Sequence, residues 1–302
     1  LATPSAILDI HFAPLHFPPS LFAVATSTGS ISLYHLTDEY GNGLDTRKLI
    51  QSATSVPRLS HIKTCQFFSE DVLITAFSWH PLYPSVGVTL SSGEVCIAIV
   101  DVYPQTTFPP SDLIRAHDLE AWTLAFLPDA SGVFSGGDDS VLGFAELPTG
   151  AEEPRLMPWL DRKIHDAGVT AILPLQVTEE GVLVLTGSYD DHIRLVHASA
   201  TGRRRVLAEG NLGGGVWRLK RLDSEPGVND VLLLVSCMHA GARIVKLHRD
   251  ESGEWQFEVL AKFEEHKSMN YGSDSQPTLN EQGQRTFITT SFYDRLLCLW
   301  RY

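Results

Sequence analysis

Hydrophobic residues along the chain come in short β-branched or aromatic runs broken by Gly, Asp and Ser, and no long stretch holds the apolar 3.6-residue period of an amphipathic helix. Six times such a run ends in small or acidic residues and is followed at once by another: AVATSTGSISLYHL, GVTLSSGEVCIAIV, VFSGGDDSVLGFAEL, VLTGSYDDHIRLVHA, LVSCMHAGARIVKLH and ITTSFYDRLLCLW. Each pair reads as two strands joined by a tight turn. With Gly29, Gly93, Asp139, Asp190, Gly241 and Asp294 as equivalent turn positions, the steps are 64, 46, 51, 51 and 53 residues, which is a repeat. A further apolar segment precedes most pairs (Ile7 to Phe12, Val72 to Trp79, Trp122 to Leu127, Val169 to Leu173, Val216 to Leu222). A fourth, such as Leu113 to Ala116 or Val259 to Phe263, fills most gaps.

Four strands per unit predict the blade of a β-propeller, in which each sheet buries its faces against its neighbours. The fold class expected is an all-β propeller occupying residues 1–302 as a single domain. Six repeat units are visible, and seven blades are expected for the full protein, because the chain opens with Leu1 and enters a strand almost immediately. The polar, glycine-containing stretches 38–60 and 273–284 predict surface loops. GSYDDHIRLV, TSFYDRLLCLW and SGGDDSVLGF resemble the WD-repeat signature. That resemblance implies a buried hydrogen-bonded network in which Asp139, Asp190, Asp294, His117 and His165 are structural. The terminal Trp of the pattern is present as Trp300 and replaced by Ala145 and Val196.

Composition narrows the class of protein. With 302 residues, 43% of them hydrophobic and 20% charged, the chain can bury a substantial core. Its 36 acidic residues outweigh 23 Lys and Arg, for a net charge of −13, which repels phosphate backbones and argues against general nucleic-acid binding. No apolar run approaches the roughly 20 residues that cross a bilayer. Cys65, Cys96, Cys237 and Cys298 are far apart and form no CxxC pair, so a reduced, cytoplasmic protein is expected, and a monomer.

No GxSxG elbow, GxxxxGK[ST] loop, HExxH or zinc-like Cys/His spacing occurs, so no metal site is expected. Interest falls on residues that break the repeat. In CMHAG, Cys237, Met238 and His239 occupy a turn that elsewhere holds a structural Asp. A His titrating near neutrality suits general acid/base work, against the blander reading of a turn His satisfied by backbone, while Cys237 reads as a buried filler. In GGGVWRLK, Gly213, Gly214 and Gly215 either form a tight turn or expose backbone N–H groups to an anion. Trp217 follows them, and Trp122 stands at the matching place after Glu120 in EAWTLAF. Tyr189, Tyr293 and Asp138 each precede a turn Asp, and propeller geometry predicts that they converge with His239 and Glu120 on one rim.

The ordered motifs AHDLEAW, FSGGDD, HDAGVTAI, LTGSYDDHIRL, GGGVWRLK, CMHAG, YGSD and SFYD resemble the diphthine methylesterase family of WD-repeat proteins. The resemblance spans His117 to Trp300 and extends weakly through SAILDIHF. It departs after Asp274, where this chain has Ser275 and the family tends to carry an aromatic. The resemblance implies a carboxylic ester hydrolase of diphthamide biosynthesis. Its substrate would be methylated diphthine on translation elongation factor 2, and no cofactor would be needed. Such a substrate carries a trimethylammonium group and a methyl ester. Tyr189, Tyr293, Trp122 and Trp217 could offer aromatic faces, and Glu120 and Asp138 carboxylates, to the cation, with His266 a further substrate contact. His239 could activate water while the Gly214 and Gly215 amides or the Trp217 indole N–H stabilise the oxyanion. Ser188, Ser291 and Cys237 stay open as covalent nucleophiles. The rival class is a non-catalytic WD-repeat interaction scaffold.

Overall fold

The computed structural model describes the chain except residues 1–4, 15–16, 19, 39–42, 44–56, 101–111, 148–156, 224–227 and 229. The described residues contain 23 strands and no helix, and hence no helix long and apolar enough to cross a membrane. They divide into two compact units, Leu1–Ser135 and Gly136–Tyr302.

In the first unit, β1 (Ile7–Phe12), β2 (Leu21–Thr26), β3 (Ser30–Thr37) and β4 (Arg58–Gln66) form one antiparallel sheet in sequential order. β5 (Ile74–Trp79), β6 (Ser85–Leu90), β7 (Glu94–Ile99) and β8 (Asp112–Ala116) form a second. β2 and β6 are buried along their whole length, which is why they read as continuous apolar runs, while the outer β4 and β8 are mostly exposed. Leu21, Leu33, Phe77, Trp79, Val86 and Leu90 belong to the core shared by these sheets. Each large side chain so buried contributes roughly 1.5–3 kcal/mol.

β9 (Ala121–Phe126) and β10 (Gly132–Gly137) begin a third sheet, which β11 (Leu142–Glu146) and β12 (Trp159–Asp161) complete in the order β12-β11-β10-β9. The second unit continues with β13 (Val169–Thr178), β14 (Gly181–Ser188), β15 (His192–Ser199) and β16 (Arg204–Asn211). A further sheet comprises β17 (Arg218–Arg221), β18 (Asp230–Ser236), β19 (Ala242–Arg249) and β20 (Trp255–Phe263). β21 (Asn270–Leu279), β22 (Arg285–Ser291) and β23 (Leu297–Arg301) form the last sheet, of three strands. Six antiparallel sheets therefore stand one per repeat unit, and the fold class is the all-β WD-repeat propeller that the repeat predicts. Tight packing of successive sheets explains two of the repeat's glycines. A methyl on Gly136 would meet the Val169 side chain at 2.6 Å, and one on Gly187 would meet Val216 at 2.3 Å.

Histidines tie the loops to the sheets. His117 Nε2 lies 3.0 Å from Ser135 Oγ, and His165 Nε2 lies 2.9 Å from Thr186 Oγ1. The turn aspartates cap backbone, as expected of structural residues: Asp139 accepts from the Val141 N–H, Asp190 from those of Asp166 and His192, and Asp294 from that of Lys267. Trp300 is stacked between Phe263 and Phe287.

Two expectations need correction. Asp139, Asp190 and Asp294 are not the left-handed turn residues equivalent to Gly29 and Gly93, whose φ values are 66° and 91°. The left-handed residue comes one position later, at Ser140, Asp191 and Arg295 (φ 60°, 66° and 52°), because the Asp before it serves as a side-chain cap. Nor is 273–284 a loop, since β21 runs to Leu279 and only 280–284 make a turn, closed by the Asn280 N–H on the Gln284 carbonyl. NYGSDSQPTL hides its strand because its outer half is exposed and offers no apolar alternation. Of 38–60, residues 58–60 belong to β4, Gly43 bridges Thr37, and 39–42 and 44–56 lie outside the described residues.

Candidate functional site

The turn between β18 and β19 departs from the others in its backbone. It holds two left-handed residues, Met238 (φ 44°) and Gly241 (φ 78°), and a non-glycine residue in that region stores about 1–3 kcal/mol that its surroundings must offset. Asn270, fully buried, supplies part of the support. Its backbone N–H donates to the Met238 carbonyl at 2.9 Å, while its side-chain amide donates to the carbonyls of Thr290 (2.8 Å) and Gly272 (3.1 Å). Ser273 Oγ donates to Asn270 Oδ1 and accepts from Ser236 Oγ at 2.7 Å, and the Ser236 carbonyl receives the Trp217 N–H at 2.8 Å. One network thus fixes the turn that carries His239 together with Trp217, the residue before β17.

The glycine motif packs directly beneath that turn. A methyl on Gly214 would sit 2.4 Å from the Cys237 carbonyl oxygen, and one on Gly215 would sit 2.6 Å from Met238 Sδ and 3.3 Å from the Tyr189 ring. Both glycines are buried, and among the described residues their amides have no hydrogen-bond partner. A buried N–H in that state is rare. On the neighbouring turn, the Tyr189 ring and the Asp138 carboxylate close over the bare Cα of Gly168, where a methyl would lie 2.8 and 3.0 Å from them.

Aromatic rings then run in a row. Tyr189 lies 6.0 Å from Trp217, Trp217 4.8 Å from Tyr271, Tyr271 6.0 Å from Phe292 and Phe292 5.0 Å from Tyr293, centroid to centroid. The Arg218 guanidinium already stands 5.2 Å from the Trp217 ring centre, a cation on an aromatic face. Burial, and then the neighbouring Tyr293, push the Tyr271 phenol up, so it stays neutral at physiological pH.

The structure brings Asp138, Tyr189, Gly214, Gly215, Trp217 and the His239 turn together within the second unit, and the ring row reaches Tyr293. His239 is exposed, and among the described residues its ring has no hydrogen-bond partner. Glu120 and Trp122 are half-buried in the first unit, beside and on β9, and the grouping here lies wholly in the second. His266 is buried, with Nε2 2.8 Å from Thr289 Oγ1, the same arrangement as His117 and His165, which gives it a structural place. Asp274 pairs with Lys220. The sequence reading missed Tyr271, Phe292 and Asn270. The signal for the first two was the aromatic residue inside YGSD and SFYD, which read as strand rather than as rings aimed at a neighbour.

The candidate nucleophiles fare differently. Burial pushes the Cys237 thiol up to about 12, leaving almost no thiolate at neutral pH. Ser188 Oγ is fully buried, donates to the Ala167 carbonyl and accepts from the Asp190 N–H. Ser291 Oγ is bound to Asp294. Among the described residues no group of three or more His, Cys, Asp or Glu side chains is placed to hold a metal ion.

Comparison with known proteins places this geometry in context. No protein-family model matches the chain. It is 30% identical over 300 residues to the diphthine methyltransferase of Schizosaccharomyces pombe, covering 98% of this chain and 78% of that protein. It is 29% identical to the Saccharomyces cerevisiae protein of the same name (99% and 84% covered) and 27% identical to the human one (89% and 56% covered). Among solved structures, a chain of the mitotic checkpoint complex superimposes with a TM-score of 0.65 at 16% identity, covering all of this chain and 76% of that one, which is a likeness of fold alone.

Proposed function

The chain belongs to the diphthine methyltransferase family and so to diphthamide biosynthesis, and from that premise we propose that it is a carboxylic ester hydrolase, removing the methyl ester from methylated diphthine on translation elongation factor 2. The observation that carries this reading is the ring row from Tyr189 to Tyr293, joined at Gly215 to a pair of unpartnered buried amides. Neutral aromatic faces with the Asp138 carboxylate beside them suit a trimethylammonium group. Two free N–H donors suit an oxygen that becomes negative during reaction.

In the proposed reaction, water attacks the ester carbonyl carbon while His239 Nε2 or Nδ1 takes its proton. The Gly214 and Gly215 amides hold the oxyanion. The tetrahedral species collapses by breaking the acyl C–O bond, the imidazolium returns the proton to the departing methoxide, methanol leaves, and the carboxylic acid formed on the factor loses its proton to solvent. Water is favoured over a covalent nucleophile because Cys237 is held as a thiol and Ser188 and Ser291 are engaged with neighbouring groups. The reaction needs no metal or nucleotide, and elongation factor as substrate puts it in the cytosol.

The test uses purified protein, pretreated with EDTA, and elongation factor 2 bearing methylated diphthine. Methanol release with loss of the methyl mass from the factor is expected, with Trp217→Ala and Tyr271→Ala raising KM severalfold, since a cation–π contact contributes about 0.5–2 kcal/mol. Binding without methanol release would make the chain a scaffold.

A further inference from the structure

A cleft of about 330 Å³ opens at the turn between β22 and β23, lined chiefly by Tyr271, Ser291, Phe292, Arg295, Leu296 and Leu297. Its walls are apolar yet exposed: Phe292, Leu296 and Leu297 show 64%, 42% and 62% of their surface to solvent. Arg295 is exposed too, and among the described residues its guanidinium has no acidic partner. The adjacent Asp294 does not serve, because its carboxylate is taken by the Lys267 N–H and the Ser291 hydroxyl. Arg295 also holds a left-handed backbone (φ 52°), as Ser140 and Asp191 do at the equivalent turns, where Gly29 and Gly93 serve elsewhere.

We propose that this cleft is a peptide-binding subsite for a segment in which an apolar side chain adjoins a side-chain carboxylate, the apolar group lying on Phe292, Leu296 and Leu297 and the carboxylate pairing with Arg295. Charge complementarity sets the choice of ligand. An unpaired guanidinium in a chain of net charge −13 receives one carboxylate, whereas a polyanion would meet the surrounding negative field. The planar fork of Arg matches a carboxylate's two oxygens, and the apolar walls stand beside the pair. Tyr271 and Phe292 belong both to this cleft and to the ring row, so a peptide seated here runs into the candidate site. The inference rests on the proposed function only in taking the substrate to be a protein.

The test therefore uses neither ester nor trimethylammonium. Acetyl-Leu-Asp-Leu-amide and acetyl-Leu-Asn-Leu-amide are titrated into the whole chain, with binding followed by NMR chemical shifts. The Asp peptide is expected to shift signals from Phe292 to Leu297 and to bind about fivefold tighter than the Asn peptide, the scale of a partly exposed ion pair. Arg295→Gly, which relieves the backbone, should abolish the difference without lowering the melting temperature, and Leu297→Ser should weaken both peptides. Absence of binding, equal affinity for the two peptides, or a preference that survives Arg295→Gly would overturn the proposal, and none of these outcomes bears on ester hydrolysis.

Discussion

His239 stands at the tip of a turn whose backbone differs from every other turn of the repeat, with an exposed ring that no described residue binds. Such a side chain contributes little to folding, so its loss separates chemistry from stability. His239→Ala is expected to lower turnover by about a hundred- to ten-thousandfold, the usual worth of general-base assistance, with the melting temperature unchanged. Cys237→Ala should keep most of its turnover. If instead Cys237→Ala is inactive and His239→Ala is not, a covalent nucleophile replaces the water. At this scale much of the grouping was legible, because Tyr189, Trp217, Tyr293 and His239 each break the pattern of their own unit. Tyr271 and Phe292 were not, since a ring at a strand start or end looks the same in sequence whether it packs into a core or along a row of rings.

At the scale of elements, the strands were read closely where burial imposes apolar runs, as in β9 and the first half of β13, and missed in β21, whose outer half faces solvent and offers no such run. The histidines that tie loop to sheet make the elements acid-sensitive. Burial lowers the His165 pKa to about 4, with the nearby Arg194 adding to the effect, and burial also lowers that of His266. A His depressed on folding binds its proton more readily in the unfolded chain. Stability is thus fully present above pH 6.5, falls as the pH drops, and levels off below about pH 4. For His165 the loss across that window is on the order of 3 kcal/mol. Urea unfolding at pH 7.5 and pH 4.5 should show it in the parent, and a smaller pH difference in His165→Gln, whose neutral side chain does not titrate. An equal pH difference in both would contradict the assignment.

For the molecule as a whole, the propeller decides little about activity, since the same fold superimposes on a chain of the mitotic checkpoint complex at 16% identity. The proposed function rests instead on the second unit, where the ring row, the glycine motif and the His239 turn meet. The central claim is that water breaks the acyl C–O bond of a methyl ester there. The measurement that tests it most directly is a turnover in 18O-enriched water with elongation factor 2 bearing methylated diphthine, reading the isotope in both products. The account predicts 18O in the newly formed carboxylate of the factor and unlabelled methanol. Label in the methanol, or loss of the methyl group only when a separate acceptor is supplied, would contradict it.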